Sequence, residues 1–356
     1  MTLSINEVRV PKWADDADWV AYCQLVQMAR DEQLGAGVYR VSPEAALQSR
    51  KADQSFTCRQ WLARLESRPV GFASLDVNVI DEPEGGFVTV FVDPQFRRRG
   101  IGRQLANRLR SDLGEQTLRL ASEISTPMPD DQAEVLASPT GFGAVPADHP
   151  GVRLALSHGF RLGQVGRTGH YEFANPAVPL AEALAKARAA AQGYEVLCFE
   201  GVPPKELRAD IAVLKGRMSL DEPLGEMPRI LHEWDEARVV DFYSGHDKVC
   251  RVFIAVAIEQ TSGRAVAINE LLSSRALPEN PVYQWDTLVL PEHRGRRLGM
   301  LVKAANLQAV RDAVPEAWLV TTFNAAENQP MLAVNEALGF RTHHLEGAFS
   351  VSREKP

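Results

Sequence analysis

The chain has 356 residues, which is long for one hydrophobic core and sufficient for two domains of about 150–200 residues each. Hydrophobic residues make up 45% and charged residues 24%, ordinary values for a globular protein. The net charge of -7 gives no support for a nucleic-acid or anionic-membrane partner, and no apolar run is long enough for a membrane helix.

In chain order, the first half predicts an alternation of strands and helices, which we assign from period-two and 3.6-residue hydrophobic patterns. The predicted elements are a strand at 7–10, a helix at 16–30, strands at 59–66, 70–77 and 87–92, a helix at 102–113 and a strand at 117–121. A turn at 67–69 joins the second and third strands. The loop at 125–150 is long and rich in Pro and Gly, so it is either a lid or a solvated excursion.

The second half repeats this order of elements. We predict a strand at 194–199, helices at 205–217 and 231–240, strands at 251–257, 264–271 and 283–290, a helix at 299–314, a strand at 318–322 and a helix at 330–338. An Ala-rich segment between the halves, AEALAKARAAAQG, predicts a linker helix at 177–192. The domains are then 1–176 and 193–356, each an α+β (mixed α/β) fold with a mostly antiparallel sheet flanked by helices.

Two short motifs occur once in each half and in the same order. VDPQFRRRGIG at 92–102 recurs as VLPEHRGRRLG at 289–299, and Gly159-Phe160 recurs as Gly339-Phe340. Two features that repeat in order indicate duplication of one domain. The chain is therefore predicted to be a tandem pair.

The first motif has the properties of an anion-binding turn. A glycine-containing turn between a strand and a helix directs several backbone N–H groups to one point, and the helix adds the positive end of its dipole. Arginines supply further charge for phosphate oxygens. The predicted phosphate-binding residues are Arg97, Arg98, Arg99, Gly100, Ile101, Gly102 and Arg103 in the first copy, and Arg294, Gly295, Arg296, Arg297, Leu298 and Gly299 in the second.

These residues resemble the coenzyme A pyrophosphate loop of the GNAT superfamily of N-acetyltransferases, written Q/R-x-x-G-x-G/A. Arg97, Gly100 and Gly102 match the pattern in the first copy, whereas Arg297 stands at the middle glycine in the second. The segment 322–340 also resembles the GNAT region after the fifth strand. The resemblance covers most of both halves, and the two-domain layout is similar to that of the mycothiol synthase family.

The resemblance implies a cofactor, a reaction and further site residues. The cofactor is acetyl-CoA (coenzyme A), whose pantetheine arm enters a gap between the fourth and fifth strands, and the acceptor is a small-molecule amine. The strand edges at Val90, Val92, Leu288 and Leu290 and the side chains of Asn324 and Asn328 are the implied pantetheine contacts. Capping of the last helix is the alternative for Asn328.

Acetyl transfer needs a base for the acceptor ammonium and benefits from an acid for the thiolate. Glu270 lies in the apolar strand before the second motif strand, where burial would raise its pKa, although a solvated strand end is the alternative. In the first copy Asp76 is the nearest counterpart. The tyrosine that GNAT enzymes commonly use as acid is replaced by Ala155 and Asn335, and the amide of Asn335 can only donate a hydrogen bond.

Several other assignments stay open. Lys303 is either a solvated helical lysine or a phosphate contact, and Glu233, Asp235 and Glu236 either receive a cationic amine or form an exposed helix face. Catalysis is expected in the second copy. Catalysis in the first copy and a non-catalytic acyl-coenzyme A sensor or scaffold are the alternatives.

The four cysteines are far apart and form no CxxC pair, which predicts reduced thiols in a cytoplasmic protein and no metal site. No signal peptide is expected at the N-terminus. We expect a monomer or homodimer, without nucleic-acid or membrane partners.

Overall fold

The computed structural model describes residues 2–52, 55–114, 116–130 and 132–352. The chain divides into two compact units. The first unit comprises Met1–Gly166, Gly225–Met227 and Leu345–Pro356, and the second comprises Arg167–Leu224 and Pro228–His344. Each unit combines strands of a mixed sheet with helices, which confirms the predicted fold class.

The elements of the first half agree in type and order with the sequence prediction, with four additions. They are β1 (Leu3–Val8), α1 (Ala17–Leu34), α2 (Pro43–Ala52), β2 (Phe56–Leu65), β3 (Arg68–Asn78), β4 (Gly85–Val92), α3 (Ile101–Ser111), β5 (Arg119–Thr126), β6 (Val135–Ala137), β7 (Ala144–Pro146), α4 (Pro150–Ser157) and β8 (Arg161–Glu172). The additions are α2, the β6–β7 hairpin within the predicted loop at 125–150, α4 and β8.

The second half contains α5 (Leu180–Ala190), β9 (Tyr194–Glu200), α6 (Arg208–Asp221), α7 (Glu236–Asp247), β10 (Cys250–Glu259), β11 (Ala265–Ser274), β12 (Val282–Val289), α8 (Leu298–Ala313), β13 (Leu319–Ala325), α9 (Gln329–Leu338) and β14 (Arg341–Ser352). The helix that we predicted at 231–240 instead begins at Glu236, because the Asp235 side chain caps it by accepting a hydrogen bond from the Arg238 N–H.

The strands of the first unit follow chain order from β1 to β5, and β1–β4 pair antiparallel. In the part of the chain that the structure describes, β4 pairs with β5 in parallel only at Gly85, Gly86 and Phe87. The rest of β4 therefore diverges from β5, as the family resemblance implied. The other edge of β5 pairs antiparallel with residues 345–352 of β14.

The second unit repeats this arrangement with β9–β12, which also pair antiparallel in chain order. The parallel pairing of β12 with β13 is shorter still and joins Val282 to Val320 and Tyr283 to Thr321. Both duplicated sheets thus open at the strand that leads into the arginine-glycine motif.

In the second unit, successive side chains of β10 point to opposite faces of the sheet, and helices cover both faces. Val252, Ile254 and Val256 pack in the cluster that contains α6 and α7, whereas Phe253 and Ala255 pack in the cluster that contains α8. The first unit follows the same plan, with α1 on one face and α3 on the other.

The Ala-rich helix α5 exists where we predicted a linker, and Leu180, Ala183 and Ala187 are buried in the core that it shares with α8. By contacts it is part of the second unit. Two strands begin in one unit and end in the other: β8 passes from the first to the second at Gly166, and β14 returns to the first at Leu345. The domain ranges 1–176 and 193–356 stay predictions.

Candidate active site

A cleft of about 690 Å³ opens in the second unit where β12 and β13 diverge. Its walls come from β12, the loop that follows β12, the start of α8, the end of β13 and the first turns of α9. The lining residues include Trp285, Asp286, Leu288, Arg294, Gly295, Arg297, Leu298, Gly299, Asn324, Asn328 and Met331. Many of the residues that the sequence predicted for the second copy thus line one cavity.

The N-terminus of α8 forms one end of this cleft. Arg297 is the N-cap residue, and its side chain makes no capping hydrogen bond, so the first N–H groups of a 16-residue helix face the cleft without a side-chain cap. A Cβ atom added to Gly295 would meet no atom within 4 Å among the described residues. Open space beside uncapped N–H groups suits an anion, and the residues present therefore fit a diphosphate.

The motif loop has the same backbone in both units despite the missing glycine. Gly100 and Arg297 occupy equivalent N-cap positions and both have left-handed conformations, with φ of 80° and 56°. Two residues earlier, Arg98 and Gly295 are also left-handed, with φ of 63° and 79°. Each copy therefore places one glycine and one arginine at the two left-handed positions, in opposite order.

The first arginine of each motif makes the same two kinds of contact in its unit. Arg97 Nε donates to the Val92 carbonyl at 3.0 Å, and its guanidinium pairs with Glu32 of α1 at 2.7 Å. Arg294 Nε likewise donates to a carbonyl of the preceding strand at 3.0 Å and pairs with Asp221 of α6 at 2.5 Å. Because these guanidinium groups already have protein partners, the phosphate contact that we predicted for them stays a prediction.

The other predicted loop residues take varied positions. Ile101 and Leu298 are buried, and Arg296 donates to the Tyr194 hydroxyl at 2.8 Å. Arg98, Arg99, Gly100 and Arg103 are exposed, Gly102 is half-buried at the start of α3, and Val90 and Val92 are half-buried in β4. Leu290 follows β12 directly and is half-buried.

A buried ionic cluster lies beside the cleft and contains Glu270. Its side chain is 0% exposed, accepts a hydrogen bond from Lys215 Nζ at 2.9 Å and accepts another from the Tyr243 hydroxyl. Burial raises the pKa of Glu270, as the sequence predicted, and the alternative of a solvated glutamate is wrong. The same ammonium donates to Asp286 Oδ2 at 2.6 Å. Asp286 is 28% exposed and lines the cleft, so Glu270 reaches the cleft through Lys215 and Asp286.

Three aromatic rings surround the Lys215 ammonium. Nζ lies 5.3 Å from the centroid of Trp234, 4.8 Å from Phe242 and 5.6 Å from Trp285. Burial alone would lower the pKa of Lys215, but the carboxylates of Asp286 and Glu270 raise it above its ordinary value. This lysine was not among the residues predicted from the sequence. The available signal was its place after Ile211 and Leu214 on the buried face of the helix.

The first unit has no counterpart of this cluster at the equivalent positions. Thr89 precedes Arg97 by the same number of residues as Asp286 precedes Arg294, and Ser74 is the β3 partner of Thr89. Hydroxyls therefore stand where the second unit has carboxylates. Our prediction that Asp76 is the counterpart of Glu270 is wrong, because Asp76 lies beyond this position and pairs with Arg50 at 2.6 Å.

Asparagines line the opposite wall of the cleft. Asn335 Nδ2 donates to Asn324 Oδ1 at 2.6 Å, and Asn335 itself is buried. Asn335 therefore touches a cleft residue, while its own oxygen has no hydrogen-bond partner among the described residues. Asn328 lines the cleft and also caps α9, since its side chain accepts from the Met331 N–H at 3.4 Å.

Lys303 is neither solvated nor in contact with the motif loop. It is fully buried, with Nζ 3.9 Å from Met331 Sδ and 5.4 Å from the Phe340 ring centroid. Burial lowers its pKa to about 7. The acidic residues that we considered for the acceptor amine, Glu233, Asp235 and Glu236, are exposed.

Residues 23–137 match the family model for the acetyltransferase (GNAT) family. A solved tandem GNAT protein from the clavulanic acid biosynthesis pathway has the same fold, with a TM-score of 0.71 at 22% identity over 99% of this chain and 98% of that one. The chain therefore has the fold of a tandem GNAT protein. The GCN5-related N-acetyltransferase from Sphaerobacter thermophilus shares this fold, with a TM-score of 0.62 at 16% identity over 98% of this chain and 95% of that one.

A mycothiol acetyltransferase from Nocardiopsis dassonvillei is 32% identical to this chain over 135 residues. The match covers 38% of this chain and 39% of the relative, so it spans about two fifths of each. Within the described residues, no helix is long and apolar enough to cross a membrane. The same residues contain no group of three or more His, Cys, Asp or Glu side chains placed to hold a metal ion.

Proposed function

We propose that this tandem GNAT protein transfers the acetyl group of acetyl-CoA to a primary amine of a small molecule and that the second unit performs the reaction. The observation that carries the proposal is the coincidence of two features in one cleft. An uncapped helix N-terminus lies at one end of the cleft. The carboxylate of Asp286, which Lys215 connects to Glu270, lines the same cleft.

The coenzyme would be held by groups that the fold already places in the cleft. The N–H groups at the start of α8 would hold the diphosphate, and the open edge of β12 near Leu288 would pair with the pantetheine amides. Asn324 and Asn328 offer side-chain amides on the other wall. When bound, the thioester supplies the activated acetyl group.

Asp286 is the group that we propose to meet the acceptor amine, because it lines the cleft whereas Glu270 is enclosed. One ammonium between two carboxylates leaves a net negative charge when both acids are ionised. Such a cluster favours binding of an ammonium acceptor and then removal of its proton, directly or through a water molecule. Glu270 and Lys215 would act through Asp286 by fixing its position and charge.

The first unit would bind the coenzyme without performing the chemistry. Its motif loop has the same backbone as the second loop, but Ser74 and Thr89 replace the two carboxylates. This difference argues against catalysis in the first unit. Reduced cysteines suit a cytoplasmic protein, and we also propose that the protein is a monomer or homodimer. The match to the Nocardiopsis mycothiol acetyltransferase does not identify the acceptor of this chain, because it covers only 38% of the chain.

Two measurements test the proposal: titration with acetyl-CoA and release of free thiol in the presence of amines. Both are made on variants that carry one glutamate at the same place in each loop. Gly299→Glu and Gly102→Glu are matched, since an added Cβ would meet only side-chain atoms, at 3.7 Å and 3.4 Å. Each glutamate should repel the diphosphate in its own unit. We expect Gly299→Glu to abolish thiol release with a panel of amines and Gly102→Glu to retain it.

Three outcomes would contradict this assignment. Absence of acetyl-CoA binding by the unmodified protein would remove the acyltransferase proposal. Full activity of Gly299→Glu together with loss of activity in Gly102→Glu would move the chemistry to the first unit. Binding without thiol release from any amine would favour an acyl-coenzyme A sensor.

A further inference from the structure

Two lysines are buried in the second unit, and only one of them has carboxylate partners among the described residues. Lys215 lies between Asp286 and Glu270, which balance its charge. Lys303 is equally enclosed, but the atoms near Nζ are the thioether of Met331 and the ring of Phe340. Burial alone lowers the pKa of Lys303, without a contribution from any charged group among the described residues.

A second unsatisfied polar group lies one helical turn from this contact. Asn335 follows Met331 by four residues on α9, so the two side chains share a face of the helix. Asn335 Oδ1 is buried without a hydrogen-bond partner in the described part of the chain, whereas its Nδ2 is engaged by Asn324. Burying a polar atom without a partner costs about 1–3 kcal/mol, and burying an unpaired charge costs more.

Both groups are close to the cleft. Met331 and Asn324 line it, and Met331 is also the contact of Lys303 Nζ. Met331 thus contacts both the cleft and the ammonium, and a methionine side chain is unbranched and rotates readily. A Lys303 ammonium without a carboxylate partner would favour binding of an anion at this wall of the cleft.

We propose that Lys303 binds the thiolate of coenzyme A and gives it a proton as the acetyl group leaves, with Asn335 orienting the lysine through its free carbonyl oxygen. This inference rests on the proposed acetyl transfer. The acceptor nitrogen forms a bond to the acetyl carbon and the carbon–sulfur bond breaks. Sulfur keeps the electron pair and takes a proton from Lys303. The proton that the acceptor loses passes to Asp286 and then to water, and Lys303 is reprotonated from water.

The proton affinities of the two partners suit this step. An ordinary thiol has a pKa of about 8.5, and the pKa of buried Lys303 is about 7. The ammonium can therefore release its proton to a thiolate without a large energetic barrier. Lys215 could not do so, since its carboxylate partners hold its proton.

The test compares coenzyme A with desulfo-coenzyme A, which keeps the diphosphate and lacks the thiol. Ultraviolet absorbance of the thiolate, followed against pH, gives the pKa of the bound thiol in the unmodified protein without any substitution. We expect that pKa to fall by at least about one unit, because a cation within ion-pair distance lowers an acid's pKa by about 1–3 units, and a thiolate at that distance in turn raises the pKa of Lys303 and keeps it charged. Lys303→Met should remove the shift, and Lys186→Met should keep it, since Lys186 is exposed on α5.

Calorimetry supplies the second arm. The unmodified protein should bind coenzyme A about threefold or more tightly than desulfo-coenzyme A near pH 8, and Lys303→Met should bind both equally. An unshifted thiol pKa, or equal weakening of both ligands in Lys303→Met, would overturn the thiolate assignment, the latter result meaning that the lysine serves the phosphates. If neither coenzyme A nor desulfo-coenzyme A binds, the proposed function fails as well.

Discussion

Lys215 Nζ donates a hydrogen bond to Asp286 Oδ2 at 2.6 Å, and this contact connects the buried acid Glu270 to the cleft. The three residues come from α6, β11 and β12, so they come together only when α6 packs on the sheet. The contact also separates two roles that one carboxylate could have played. Asp286 meets the cleft, and Glu270 sets the electrostatic environment behind it.

Asp286→Asn should lower kcat/KM by about 10²–10⁴ at neutral pH, the range for loss of a general base. The affinity for acetyl-CoA should change little, because the diphosphate end of the cleft is untouched. The loss should shrink at high pH, where more of the acceptor amine is already neutral. Asp312→Asn is the control, since Asp312 is an exposed acid of the same unit. Full activity of Asp286→Asn would exclude it as the base.

Glu270→Gln should reduce activity and also destabilise the second unit. Removing one carboxylate from a buried ion pair leaves Lys215 less well compensated, and such changes cost about 3–5 kcal/mol. Thermal unfolding measured beside kcat/KM separates the two effects. If Glu270→Gln abolishes activity at unchanged stability while Asp286→Asn stays active, the predicted direct role of Glu270 is right and the relay through Asp286 is wrong.

Arg297→Gly should stabilise the second unit. A non-glycine residue in the left-handed region costs about 1–2 kcal/mol, and glycine adopts it freely, although it loses more entropy on folding. We therefore expect a net gain of about 0.5–1 kcal/mol in the free energy of unfolding. Arg297→Ala removes the same side chain but keeps the Cβ atom, so it should give no such gain. Equal stabilities of the two variants would show that the backbone at this position is unstrained.

The sequence predicted those features that depend on local pattern. The motif loops, the strands before them and the burial of Glu270 follow from residues adjacent in the chain. The partners of Glu270 could not be found in this way, because Lys215 and Asp286 lie in elements far apart in the sequence. Lys303 was assigned to solvent or to phosphate because a helical lysine is usually exposed. In the structure α8 is packed on nearly all sides, which only the tertiary arrangement determines.

His170 should make the second unit less stable in acid. Its ring stacks on His343 with centroids 4.2 Å apart, and its Nε2 is buried without a hydrogen-bond partner in the described residues. Burial and the neighbouring His343 and His344 lower its pKa from 6.5 to about 4. Between these values the unfolded chain binds more protons than the folded one, so stability falls as pH falls from about 6.5 to about 4.

His170→Phe keeps an aromatic ring against His343 and cannot be protonated. The midpoint of urea unfolding should then vary less between pH 7 and pH 4.5 than in the unmodified protein. His232→Phe, elsewhere in the same unit, should leave the pH dependence unchanged. A steep acid loss that persists in His170→Phe would assign the effect to other groups.

Lys303→Met should stabilise the second unit, and the gain should depend on pH. The pKa of Lys303 is about 7 in the folded protein, whereas the ordinary lysine value of 10.5 applies to the unfolded chain. Between these values the unfolded chain holds a proton that the folded chain lacks. The unmodified protein therefore gains stability as pH rises from 7 to 10.5, and the cost of burying the ammonium is largest below pH 7.

The advantage of Lys303→Met should accordingly be greatest at or below pH 7 and should decline towards pH 10. Its upper limit is about 5 kcal/mol, because each unit of pKa shift corresponds to about 1.4 kcal/mol. Denaturant unfolding at pH 6.5, 8 and 9.5 measures it, with Lys186→Met as the exposed control. A variant less stable than the unmodified protein at pH 6.5 would mean that the ammonium has a compensating partner in solution. A constant advantage at all three pH values would mean that the lysine is buried in one protonation state throughout.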